Sequence, residues 1–291
     1  PNPHFWGTFF YRNMGVAYLN LIICGCGMLY FYHFNQAERR GQSGGPHLLL
    51  FVLVAVLYTS IGLALSRGGI LFGGVMTACF FIVAAVRGLF SSSLRNSILL
   101  SLLIGSLLGG GGYMIFQFVD IQKIEQRFGD IEETIQTADQ SDRAITTKVT
   151  WQMAQEKLWL GWGAGSWRYI FPMYQKSHPE IFYQGYRARG GWWGRKIYHY
   201  AHNDIVQFLC EYGIVGCGIL LMIFGYWVWN LLFRAAGNTL SALMLLVGLS
   251  TAFGHAFVDF IFQSPAYWLA LNGLLCVSVK LLSLHRERVY R

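Results

Sequence analysis

The sequence predicts an all-α, polytopic membrane protein with seven transmembrane helices in this chain and one large extramembrane loop. Three observations predict it. Hydrophobic residues fill 54% of the 291 positions and charged ones only 12%, against about 25% charged in a soluble domain. The apolar residues fall into seven runs near the roughly 20 residues that a spanning helix needs. The basic residues sit in short clusters between those runs, so the net charge of +8 speaks for membrane topology and against nucleic acid.

In order, the runs are 14–34, 47–65, 70–86, 97–118, 213–233, 239–262 and 265–284. The polar break NQAERRGQSGG parts the first two, and Ser66-Arg67-Gly68-Gly69 reads as a tight turn before the third. The fourth and fifth are parted by about 80 polar residues, too many for a mere connection. The organisation is therefore four helices in 1–118, a large loop in 119–201, and three helices with a cytoplasmic tail in 202–291. The chain opens at Pro1 with no initiator Met, and further helices are expected before it. Cys24, Cys26, Cys79, Cys217 and Cys276 lie inside apolar runs, and Cys210 just before one. They read as buried free thiols, not as a disulfide framework or a zinc site.

Basic residues orient the chain. Alternate crossings bring Arg39, Arg40, Arg87, Arg95, Arg234, Lys280, Arg286, Arg288 and Arg291 to one side, and only Arg12 and Arg67 to the other side's short connections. The first side is then cytoplasmic. The large loop faces outward, into the periplasm if the membrane is a bacterial inner membrane.

Within the loop, 121–137 reads as an acidic amphipathic helix. Ser141 and Asp142 are placed to cap a second helix over 143–159, with Val149, Met153 and Leu158 as its apolar stripe. The Gly-rich stretch 161–165 follows a helix and no strand, so it is no dinucleotide fingerprint. Its glycines fit a tight turn or a close backbone approach. The Gly109–Gly112 run suggests close packing or a broken helix.

Several residues carry candidate chemistry. Arg67 sits at a turn on the outer side, where its guanidinium suits an anion, or it simply snorkels from a helix end. Arg143 opens the second loop helix, where a cation is unfavourable unless an anion compensates; Asp139 or Asp142 would be the structural partner. Arg187, Arg189, Arg195 and Lys196 are interleaved with Tyr183, Tyr186, Trp192, Trp193 and Tyr198. That mixture suits a phosphate and a sugar ring, or an interfacial aromatic belt. His202, with a reference pKa of about 6.5, suits proton transfer, and Asn203 or Asp204 would orient it. A metal held by His199, His202 and Asp204 matches no strong zinc pattern. His255 and Asp259 are four apart in the 239–262 run, hence on one helix face. They form a functional site or a mutual structural pair. By the topology above, all these residues converge on the outer side.

The pieces GTFFYRNMGVAYL, LSRGG, DRAITTKVTWQMAQEKLWLGWGAGSW, AHNDIVQFLCEYGIVG and GHAFVDFIFQSPAYWLALNGLL, in that order with the large loop before His202-Asn203, resemble the O-antigen ligase and polymerase superfamily of bacterial membrane glycosyltransferases. The resemblance covers nearly the whole chain. It implies a protein of about a dozen spans, of which these are the C-terminal seven. It implies transfer of a glycan from undecaprenyl pyrophosphate to an acceptor hydroxyl, with no cofactor and no metal. The acceptor would be a lipid A-core (ligase), another glycan chain (polymerase) or a protein hydroxyl (protein O-oligosaccharyltransferase). Arg67 and Arg143 would grip the pyrophosphate, and His202 would activate the acceptor or steady the leaving group. Two other classes compete. A transporter of the bicarbonate-transporter kind would use His255 and Asp259 as a proton relay, though no inverted repeat is evident. A non-catalytic scaffold would need no particular role for Arg67 or His202.

Overall fold

The computed structural model describes residues 9, 11–42, 44–64, 66–89, 141–186, 192–234 and 238–289. Among the described residues run the helices α1 (Arg12–Arg39), α2 (Pro46–Leu63), α3 (Arg67–Leu89), α4 (Asp142–Glu156), α5 (Trp167–Gln175), α6 (Pro179–Phe182), α7 (Asp204–Arg234), α8 (Thr239–Ala256) and α9 (Pro265–Val289). Among the described residues, five segments are long and apolar enough to cross a bilayer: Arg12–Arg39, Gly68–Arg87, Asp204–Phe233, Thr239–Ala256 and Pro265–Leu282. Pro46–Gly62 is a shorter apolar helix. The chain is a polytopic helical membrane protein. The expected span 97–118, the expected helix 121–137 and the Gly109–Gly112 run lie outside the described residues.

The chain divides into two compact units. One comprises Pro1–Ile124, Gly225–His255 and Ser264–Arg291, the other Glu125–Phe224 and Ala256–Gln263. In the first unit α1 packs against α2, α3 and α9. Its buried aromatic rings interlock, Tyr30 lying 5.1 Å from both Phe31 and Phe80. Helix α3 approaches α1 through small residues. A Cβ at Gly69 would fall 2.0 Å from Val16, and one at Gly73 2.3 Å from Asn20. The Asn20 amide donates to the Gly69 carbonyl at 3.2 Å. Small residues at such crossings are what membrane helices use in place of a hydrophobic drive.

In the second unit α4 turns one face inward. Thr146, Val149, Thr150, Met153 and Ala154 are buried against Trp167, Phe171, Ile181, Tyr198, Ala201 and Cys210. Two of the polar side chains taken inside are bonded, as burial favours. The Trp167 indole donates to Thr150 Oγ1 at 2.9 Å, and the Gln175 amide donates to the carbonyls of Ile181 and Lys196 at 2.8 Å each.

The helical architecture stands with one short hairpin added, and four other expectations change. Strands β1 (Tyr183–Tyr186) and β2 (Trp192–Arg195) pair antiparallel, with Tyr183 opposite Arg195 and Tyr186 opposite Trp192. Aromatic residues, two in each strand, favour such a ladder. The Ser66–Gly69 stretch is the first turn of α3 rather than a turn before it, with Ser66 Oγ accepting the Gly69 amide. Leu158 lies past the end of α4 at Glu156. The span expected over 239–262 stops at Ala256, and a 3-10 turn, Ile261–Gln263, precedes α9. Hydropathy misses this break because the broken segment is itself apolar. Finally, Cys24, Cys26 and Cys210 are buried, but Cys276 is exposed on α9.

Candidate active site

The site is assembled by the head of α7. The expected span over 213–233 is preceded by a nine-residue helical segment, because α7 begins at Asp204 and is kinked at Gly213, whose φ 62° and ψ −173° are not helical. Asn203 is the N-cap in substance, its Oδ1 accepting the Val206 amide at 3.1 Å. The next residue, Asp204, is tied to the turn that follows α8 through both its backbone and its side chain. The Asp204 amide donates to the Asp259 carbonyl at 3.2 Å. The Asp204 carboxylate, fully buried, accepts the Phe262 amide at 2.7 Å and the Gln263 side-chain amide at 3.1 Å. This capture accounts for the end of α8, since the chain must leave helical geometry to present those two donors.

His202 stands just before the cap with φ 58°, alone among the described non-glycine residues in having a positive φ. That left-handed conformation is uncommon for residues with a Cβ, though histidine tolerates it better than most. The imidazole lies edge-on to Phe260, ring centroids 4.7 Å apart, and Phe260 stacks on Tyr200 at 4.8 Å. Its Nδ1 is 3.7 Å from the Asp259 carboxylate, with 22% of the His202 side chain exposed and 4% of Asp259. Asp259 Oδ1 also accepts the Phe260 amide at 3.0 Å.

Two sequence expectations are thereby corrected. The carboxylate facing His202 is Asp259, and Asp204 is committed to Phe262 and Gln263. His255 and Asp259 do not share a helix face, because α8 ends between them. His255 is buried in the last turn of α8 and stacks on Phe72, centroids 5.4 Å apart.

His202 and Asn203 open into a cleft of about 940 Å³. One wall is the outward face of α4, carrying Arg143, Thr147 and Trp151 at four-residue spacing with Lys148 beside them. Phe257 and Val258 contribute from the turn after α8, and Val206 from α7. Ser141 caps α4, its Oγ accepting the Ala144 amide at 3.2 Å. Asp142, offered above as a partner for Arg143, instead pairs with Lys196. Burial holds the Lys196 ammonium below its ordinary value. Arg143 donates to the Val258 carbonyl at 3.3 Å, which lays it across the cleft. Cation, hydroxyl, indole and imidazole thus share one solvent-open space. Such a space can hold an anion and a ring, with a proton acceptor at its edge.

Of the expected site residues, Arg143, His202 and Asn203 line the cleft, and Asp259 supports it. Arg67 is the first residue of α3 and belongs to the first unit, as does His255. Trp192, Trp193 and exposed Arg195 form β2, and Arg187 and Arg189 lie outside the described residues. Among the described residues no three His, Cys, Asp or Glu side chains are grouped to hold a metal. Sequence reading passed over Lys148 and Trp151. The four-residue spacing from Arg143 through Thr147 to Trp151, on a helix whose other face is apolar, is the signal that would have found them.

Below the cleft, the loop between α4 and α5 is fastened to α7. The Trp162 and Gly163 amides donate to the Cys210 and Glu211 carbonyls, each at 2.9 Å. Leu158 and Trp159 accept from Ile214 and Val215 at 2.8 and 3.1 Å. The buried Glu211 carboxylate accepts the Gly165 amide at 3.0 Å and the Trp167 amide at 3.3 Å. Gly161 (φ 71°) and Gly213 (φ 62°) allow this approach. A Cβ on either would meet backbone, 2.3 Å from the Glu211 oxygen or 2.4 Å from the Trp159 oxygen.

No curated protein matches the chain, and no solved structure does. A protein-family model described as O-antigen ligase matches residues 48–221, more than half of its length. That match takes in both α4 and the head of α7, the two helices that frame the cleft. The chain belongs to the O-antigen ligase family.

Proposed function

We propose that this protein transfers a glycan from undecaprenyl pyrophosphate to an acceptor hydroxyl on the periplasmic face of a bacterial inner membrane. The observation that carries the reading is the cleft in which His202, backed by Asp259, shares one space with Arg143. Family membership supplies the reaction class, glycosyl transfer, and the cleft supplies groups suited to it. The acceptor oxygen attacks the anomeric carbon and gives its proton to His202. The bond between that carbon and the pyrophosphate oxygen breaks, and undecaprenyl pyrophosphate leaves with the electron pair. Arg143 neutralises the charge that develops on the leaving group, and Arg67 is a second candidate for that work. The carboxylate of Asp259 steadies the imidazolium formed during transfer. Arg187, Arg189, Trp192, Trp193, Arg195, Asn203, Asp204 and His255 stay candidates for substrate binding or its support. The reading assigns no metal and no cofactor to the step.

The favoured acceptor is the lipid A-core, as in a ligase; a growing glycan or a protein hydroxyl would make the protein a polymerase or a protein O-oligosaccharyltransferase. The test is a transfer assay in nanodiscs with undecaprenyl-pyrophosphate glycan, each acceptor in turn, and EDTA present. Acceptor-dependent release of undecaprenyl pyrophosphate that is lost in His202→Asn is the expected result, and the working acceptor names the subtype. No release with any acceptor from folded protein would overturn the transferase, and solute flux in proteoliposomes would then be measured.

A further inference from the structure

The geometry points to a second lipid contact: the loop tip Trp159-Leu160, between α4 and α5, is seated in the interfacial layer of the bilayer. This rests on the membrane character of the chain and not on the transferase reading. Two consecutive large apolar side chains stand out here, Trp159 at 70% and Leu160 at 74% exposure. The loop is not free to fold them away. Its backbone is bonded at Leu158 and Trp159 to the amides of Ile214 and Val215, and the Gly161 and Gly213 backbones lie against it too closely to admit a side chain.

The fastening decides where the tip lies. Ile214 and Val215 begin the part of α7 whose large apolar side chains face outward, through Ile219, Leu221, Met222 and Ile223. The segment of α7 ahead of the kink at Gly213 buries Asp204, Gln207 and Glu211 instead. The change from buried polar to exposed apolar marks where α7 enters lipid. Trp159 and Leu160 are held at that level, continuous with the lipid-facing surface of the span. Lys157 precedes them, exposed, with its ammonium 5.5 Å from the Trp162 ring. An indole, an aliphatic side chain and an adjacent cation are the chemistry of the headgroup boundary. The occupant is therefore phospholipid and not a protein partner.

The test uses the full chain in nanodiscs, where tryptophan emission is quenched either by phospholipid brominated near the headgroup end of its acyl chains or by aqueous iodide. Trp159→Phe is expected to lower the bromolipid-quenched share of emission by up to about a tenth, since ten tryptophans contribute, and to leave the iodide-quenched share unchanged. Leu160→Trp is expected to raise the bromolipid-quenched share. Loss of iodide-quenchable emission in Trp159→Phe would place the residue in water and overturn the proposal. No change with either quencher would mean that protein covers the tip, which overturns it equally.

Discussion

The Asp259 carboxylate stands 3.7 Å from Nδ1 of His202, joining the turn after α8 to the residue that precedes α7. If this pair works as proposed, the two residues have unequal shares. His202→Asn is expected to lower the transfer rate by about 10²- to 10⁴-fold, the span of a positioned general base. Asp259→Asn leaves the imidazole in place without its anion and is expected to cost roughly 10- to 100-fold. The check is kcat for each variant and for both together. Losses that multiply would show that the residues act independently and would refute the pairing.

Asp204 predicts a different failure. Asp204→Ala strands the buried Phe262 amide, at roughly 1–3 kcal/mol, and frees the half-buried Gln263 side chain. Thermal unfolding should show a clear fall in Tm, whereas Asp259→Asn should unfold close to the parent. Equal Tm values for Asp204→Ala and the parent would contradict the anchoring role.

Gly161→Ala and Gly213→Ala are each expected to destabilise by at least about 1–3 kcal/mol, from left-handed backbone alone, with the backbone clash added. Gly165, at φ 69° but with open space around it, serves as the control. Its alanine variant should lose less in the same unfolding measurement.

Trp151 is exposed in the cleft at 45%. If it stacks on a sugar of the donor, Trp151→Ala should raise KM for the glycan donor about 3- to 10-fold, and Trp151→Phe should restore most of it. The kcat value should change little, because stacking is equal in the ground and transition states. An unchanged KM with a lowered kcat would remove Trp151 from substrate binding.

Burial pushes the Tyr198 phenol up to about 12. Unfolding returns it to about 10, so above that value the unfolded chain binds fewer protons and stability falls as pH rises. The loss is absent below about pH 10 and complete near the folded value. Tyr198→Phe should flatten this alkaline limb of the stability profile. Since the Tyr198 hydroxyl finds no hydrogen-bond partner among the described residues, the variant should cost little at neutral pH. A limb that stays as steep would assign it to other groups.

The helical membrane architecture was legible because hydropathy and length are local properties of the chain. The roles of Arg143, His202 and Asn203 rest on the proposal above, and that all three stand beside helix starts was legible as well. The true partner of His202 was not. Sequence neighbourhood favoured Asp204, and helical spacing favoured a pair between His255 and Asp259. The second inference assumed that 239–262 is one helix, and a tertiary capture by the Asp204 carboxylate ends it early. Trp151 was missed for a related reason: the inward stripe of α4 was weighed and its outward face was not. The Gly161–Gly165 stretch was read rightly as a place of close approach, although the helix it approaches lies some fifty positions later.

The backbone at His202 decides which variants can speak for its side chain. At φ 58°, alanine adds strain of order 1 kcal/mol, so a weak His202→Ala enzyme mixes lost chemistry with a displaced helix start. Asparagine and glycine accept this conformation readily, and glycine also leaves a void of imidazole size open to the cleft. Free imidazole added to His202→Gly therefore has both a vacant seat and an undistorted frame around it. Rescue of turnover there would separate the base from the scaffold that holds it.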